Sequence, residues 1–199
     1  MEENKGFVAF FRNNFDIISK LFLNHIAMCV FGLVVSLATK LLNDKVFKGS
    51  ENSFGVLGYI MCGVGVLLYL CLIYVAMWEK GASDKIKIDG GRLAKNNFKG
   101  LLFWLVANSI DIFLILNLTI VALIGDVAKE MHAVVGLISM LYNGMYYPIL
   151  WHFFGKLSWL FFVVLIPGAI VATLSYISAL KGHKCIFPEP KGERNRKMR

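Results

Sequence analysis

Apolar residues along this chain gather in long blocks separated by short polar interruptions. The blocks outrun ordinary buried strands and lack the polar stripe of a soluble helix. Five of them, 21–42, 56–78, 101–124, 132–151 and 158–180, reach the ~20 residues that a helix needs to cross a ~30 Å hydrocarbon core. Short connections, Gly125 to Met131 and His152 to Leu157, join the last three, which should therefore run antiparallel. Residues 6–20 differ in kind. On a helical wheel Phe7, Phe10, Phe11, Phe15 and Ile18 share one side, and Arg12, Asn13, Asp16 and Lys20 take the other. That pattern predicts a helix lying in the membrane interface, the alternative being a plain extension of the first span.

The expected fold is an all-α integral membrane protein. It has five membrane-embedded helices, four or five of them full crossings, behind an N-terminal interfacial amphipathic helix. Three regions follow: an N-terminal segment, 1–20; a transmembrane bundle, 21–180; and a basic tail, 181–199, expected to be disordered.

Composition agrees. Hydrophobic residues make up 57% of the chain and charged residues only 17%, mostly outside the apolar blocks. The net charge of +8 would suggest nucleic acid in a soluble protein. Here no nucleic-acid-reading module accompanies it, so anionic lipid headgroups, met by the basic loop and tail, are the expected partners. Cys29, Cys62, Cys71 and Cys185 form no C-x-x-C or zinc-type spacing and are expected to be unpaired. The acidic start MEENKG is a poor secretory leader, although Ser36 and Ala38, late in the first block, could mimic a cleavage site. A cell membrane, in particular the bacterial cytoplasmic membrane, is the expected location.

Charge placement complicates the count of crossings. With five, the two sides of the membrane receive 10 and 11 Lys and Arg, which is no bias. With four, the N-terminal segment, the 79–99 connection and the tail fall together, and the split becomes 16 against 5. The block that could fail to cross is 132–151, with Asn143-Gly144 at its centre and Pro148 near its end. Within 79–99, Ile86 to Arg92 alternates and then predicts a tight turn near Asp89-Gly90. Gly90-Gly91-Arg92 could cradle a phosphate, but a lipid-facing basic loop is the better reading.

Several spans carry small or polar residues at steps of three and four. His25, Cys29, Gly32, Ser36 and Thr39 do so in the first, and Gly58, Cys62, Gly65, Tyr69 and Ala76 in the second. Gly168, Ala172, Ser175 and Ala179 repeat the pattern in the last. Water cannot drive helices together inside lipid, so close backbone approach must, and these stripes read first as packing seams. Gly32, Ser36, Gly58, Gly65, Gly168 and Ala172 are the seam residues named. His25 has no acid within one turn to poise it and reads as a packed or interfacial histidine. Trp78, Trp104, Trp151 and Trp159 read as an interfacial belt.

The third and fourth blocks carry the candidate chemistry. Asp111 is the only acid deep inside a block, at a cost of ~3 kcal/mol at a helix centre. Sixteen Leu, Ile, Val and Phe in 101–124 offset it by roughly 5–10 kcal/mol, so the helix still inserts. On a continuous helix Asn108, Asp111 and Thr119 share an ~80° arc. His132, Gly136, Ser139, Asn143 and Tyr146 share a face of the next block. Antiparallel packing should bring Asp111 and Asn143 to similar depth, giving a polar core of Asn108, Asp111, Asn143 and Tyr146. That core would either hold a cation, proton or small polar ligand, or act as interhelical glue.

No zincin, nucleophile-elbow or P-loop motif occurs, and no second intramembrane acid stands beside Asp111. No catalytic residue, cofactor or metal site is expected. Three functions remain in order: a small transport or ligand-binding membrane component; a non-catalytic structural or regulatory subunit of a larger membrane complex; and a membrane-embedded lipid-modifying enzyme. Five helices enclose little volume, so a homo-oligomer or a membrane-protein partner is expected.

Overall fold

A computed structural model describes residues 6–45, 54–124, 129–153 and 160–186. All regular structure among them is helical: α1 (Phe7–Asn13), α2 (Phe15–Lys45), α3 (Gly55–Asp89), α4 (Lys99–Ala107), α5 (Ser109–Ile124), α6 (Lys129–Tyr142), a 3-10 turn (Gly144–Tyr146), α7 (Tyr147–Phe153) and α8 (Leu160–Leu180). Helices α2, α3 and α8 are each long and apolar enough to cross a membrane. The pairs α4–α5 and α6–α7 are also apolar enough, but bend by 66° and 95° at their joints; counted as single spans, they raise the number to five.

The bundle is apolar outside and partly polar inside. Leu23, Val34, Val56 and Leu123 are between 62% and 83% exposed, while His25, Asn108, Asp111, Ser139 and Asn143 are buried. In water such a continuous apolar surface would aggregate; in lipid it is solvated.

The chain leaves the amphipathic segment through a break. Asn14 ends α1, its side-chain amide donating to the Phe10 carbonyl at 2.9 Å, and α2 starts at Phe15. The separate N-terminal helix, Phe7–Asn13, is thus shorter than the wheel over 6–20 implied. Ile17, Ile18 and Leu21 are already buried in α2, whereas Phe10 stacks on Phe103 of α4 at 5.4 Å.

At 35 residues, α3 is about 50 Å long and outruns the bilayer core. It continues through the alternating stretch Ile86–Asp89 and turns at Gly90-Gly91, beside the turn expected near Asp89-Gly90, with Gly91 at φ 68°. The extension past Trp78 meets other chain ends. Lys20 of α2 pairs with Glu79 at 2.6 Å, and Asp84 meets Lys99 of α4 and Tyr176 of α8. The backbone amide of Ile186, beyond α8, donates to the Tyr74 hydroxyl at 3.2 Å. The start of α2, the end of α3, the start of α4 and the end of α8 therefore share one end of the bundle. At the other end Lys40 of α2 lies over the rings of Phe54 and Trp151, 5.8 and 5.7 Å from their centroids.

The small residues meet their neighbours unevenly. A Cβ on Gly32 would run into the backbone of Gly144 and Met145, one on Gly58 would overlap Phe54, and one on Gly168 would sit 2.8 Å from the Trp104 indole nitrogen. Ser36 and Ala172 are buried. Gly65 is different: a Cβ there has nothing within 4 Å. Trp104 is also not the belt residue expected from its place in the sequence, because it is buried against Gly168. Trp159 and the tail from 187 onward lie outside the described residues.

Candidate functional site

The polar core forms where two apolar blocks break. The first break follows Ala107. Asn108 leaves the helical region at φ −101°, ψ 19°, and its amide donates to the Trp104 carbonyl at 2.9 Å. Helix α5 restarts at Ser109 with Asp111 in its first turn. An acid there faces the positive end of the α5 dipole, so the break itself lowers the cost of a buried carboxylate.

The second break follows Tyr142. Asn143 departs at φ −106°, ψ 38°, and a 3-10 turn carries the chain into α7, where Pro148 occupies the tolerated first turn. The joint coincides with the Asn143-Gly144 pair singled out in the sequence.

The two joints meet. The Asn143 amide donates to Asp111 Oδ1 at 2.6 Å and to the Ser139 carbonyl at 3.1 Å. Neither Asp111 nor Asn143 is more than 1% exposed. The second Asp111 oxygen, Oδ2, is buried without a hydrogen-bond partner among the described residues, as are Ser139 Oγ and the hydroxyls of Tyr142 and Tyr146. Asn108 makes no hydrogen bond to Asp111 or Asn143, and its side-chain amide oxygen is likewise buried and without a partner among the described residues. Thr119 turns back to the Ile115 carbonyl and stays outside the core.

Breaking α6 releases backbone carbonyls, and α2 and α3 supply donors for them. The Tyr142 carbonyl receives His25 Nε2 at 3.0 Å and the Cys29 thiol at 2.5 Å, while the Cys62 thiol donates to the Met145 carbonyl at 3.1 Å. With Nε2 as donor, His25 Nδ1 accepts from the Tyr69 hydroxyl at 3.0 Å. Gly32 and Gly144 let the two backbones approach closely enough for these bonds. Cys29, Tyr69, Tyr142 and Tyr146 all lie within electrostatic range of Asp111.

His25, Cys29, Cys62 and Tyr69 thus belong to the core, although sequence reasoning assigned them to packing. The available signal was their shared 3–4 spacing on the two faces that also carry the glycines. All four cysteines are unpaired. Among the described residues no three His, Cys, Asp or Glu side chains converge as metal ligands.

A helical bundle with three to five helices long and apolar enough to cross a membrane, and a buried acid among its helix ends, is compatible with a membrane protein. Compared with known proteins, the chain matches no family model, no characterised protein and no solved structure.

Proposed function

We propose that this protein is a small transport or ligand-binding component of a cell membrane, and that Asp111 holds a proton or small cation within the bilayer. One observation carries the reading: among the described residues a fully buried carboxylate receives a single amide donor, from Asn143, while its other oxygen has no partner. An isolated charge in so apolar a place is expensive, and no Lys or Arg of the described residues pairs with it. A proton or a cation supplies the missing compensation, with the Asn143 amide and nearby tyrosine hydroxyls as supporting polar groups. Interhelical glue alone needs no unsatisfied oxygen.

In this proposal the chain crosses the membrane four times. Helices α4 to α7 together make one crossing from the Lys99 end to the Trp151 end, folded back on itself through the α5–α6 hairpin. The N-terminal segment, the 79–99 connection and the tail then share a side with 16 of the 21 Lys and Arg, and that side is cytoplasmic. The subunit reading keeps one support: α5 packs chiefly on α6, leaving Phe113, Ile120 and Val134 exposed.

The test is Asp111→Asn in proteoliposomes containing a pH-sensitive dye. Sodium or potassium, added separately, should drive cation-coupled proton movement in wild type and none in the variant, whose unfolding midpoint stays near that of wild type. Equal fluxes in both proteins, or no flux and no cation-dependent carboxyl infrared signal in the wild type, reject the reading.

A further inference from the structure

A second cluster, which does not include Asp111, lies at the end of the bundle where α1 meets the ends of α3 and α4. There a cavity of about 580 Å³ is bordered by Arg12, Lys80, Lys87 and Lys99, with Asp84 and Phe10 in its wall. That volume falls in the range of small-molecule sites.

The four cations are not equivalent. Lys80 and Lys99 are held in place, because each donates to Asp84 at 2.9 Å and each ammonium lies 5.6 Å from the centroid of the Phe103 ring. The Asp84 side chain is fully buried, and its oxygens are occupied by the two lysines and the Tyr176 hydroxyl. The acid therefore anchors the ammonium groups, leaving each with two further N–H donors. Arg12 and Lys87 form no ion pair among the described residues. Two fixed and two unpaired cations around one cavity suit an anion with several acceptor oxygens, and Arg matches a phosphate in bidentate fashion.

Position argues for lipid as the source. Lys80 follows the apolar stretch 56–78 and Lys99 precedes 101–124, so the cavity sits at the level where hydrocarbon gives way to headgroups. Phe10 and Phe103, stacked at 5.4 Å, fix α1 over the site.

We propose that this cavity binds a phosphoryl group, carried by an anionic phospholipid headgroup or by a free phosphate. The site is independent of Asp111, so Asp111→Asn leaves its binding intact and the two proposals fail separately.

The experiment uses the full chain in zwitterionic micelles and follows the thermal unfolding midpoint. Inorganic phosphate, short-chain phosphatidylglycerol and short-chain phosphatidylcholine are titrated in separate arms. Phosphatidylglycerol should raise the midpoint and phosphatidylcholine should not. A comparable rise with inorganic phosphate alone assigns the site to free phosphate; a rise confined to the lipid assigns it to the headgroup.

Arg12→Gln with Lys87→Gln should weaken binding about 30-fold, at roughly fivefold per cation near a membrane surface. Arg92→Gln with Lys95→Gln removes the same charge outside the cavity and should have little effect. The proposal is overturned if neither anion shifts the midpoint, if phosphatidylcholine matches phosphatidylglycerol, or if both double variants bind alike.

Discussion

Asp84 is the residue whose removal should loosen the bundle end most. It ties α3 to α4 through Lys99 and to α8 through Tyr176, and holds Lys80 within its own helix. Asp84→Ala would leave two ammonium groups and a hydroxyl without their acceptor. Removing one partner of a buried pair costs ~3–5 kcal/mol, but the lysine side chains retain 17% and 15% exposure. Water recovers part of the loss, giving an expected destabilisation of about 2–4 kcal/mol. Unfolding in mixed micelles of increasing dodecyl sulfate content, followed by tryptophan fluorescence, measures it. Adding Lys80→Met and Lys99→Met to Asp84→Ala should recover at least half, because the orphaned charges are gone. A single variant within about 0.5 kcal/mol of wild type would falsify the anchoring role. The pH dependence has a definite sign. Burial raises the Asp84 pKa, but hydrogen bonds from Lys99, Lys80 and Tyr176 outweigh it, so the net shift is downward. Its contribution is thus fully present above the ordinary aspartate range and lost only as pH falls through the depressed folded value.

Three further outcomes are expected. Gly32→Ala should cost about 1–3 kcal/mol, since the added methyl meets backbone, whereas Gly65→Ala has open space and should be neutral or stabilising by under ~1 kcal/mol; equal effects in the same micelle assay refute the close-packing argument. His25→Leu removes the bonds to Tyr69 and the Tyr142 carbonyl and should cost about 1–2 kcal/mol while making Cys29 react faster with alkylating reagents; unchanged stability and reactivity would count against a shared network. With four crossings, Cys185 and an introduced Asp89→Cys should be labelled by an impermeant maleimide from the same side of oriented vesicles, and labelling from opposite sides excludes an even count between them.

Much of the helical content was legible because apolar length is a local property of the sequence. The centres of α2, α3 and α8 fall in the blocks 21–42, 56–78 and 158–180. The pairing of Asp111 with Asn143 was also legible, from antiparallel order and matching depth. The break at Asn108 was missed, since hydropathy averages over one amide among sixteen apolar side chains. Its signal was Asn108-Ser-Ile-Asp111, a helix-start pattern in the middle of an apolar run. The thiol and imidazole donors were missed for another reason. Their acceptors are carbonyls released by a break in a different helix, and sequence distance hides that relation: His25 and Tyr142 are 117 positions apart.

In the proposed topology the broken helices also explain why apolar length and charge gave different counts. Apolar length registers every stretch that lies in hydrocarbon, whereas charge registers net transfer from one side to the other. In the proposed topology α4 and α7 supply the two halves of one crossing, and α5 and α6 form a hairpin between them. All four are apolar, yet only one transfer results. The same folding-back creates the site, because a helix that stops inside the bilayer presents free amides at its start and free carbonyls at its end. The start of α5 receives Asp111 in its first turn, and the end of α6 receives His25 and Cys29. A continuous third span would offer Asp111 no dipole end, and the acid would bear its full central cost. Converting Asn108-Ser109 to Leu-Leu should therefore straighten α4 into α5 and destabilise the protein unless Asp111 is also replaced by leucine. Additive effects of the two changes in the micelle assay would mean that the break and the acid are unrelated.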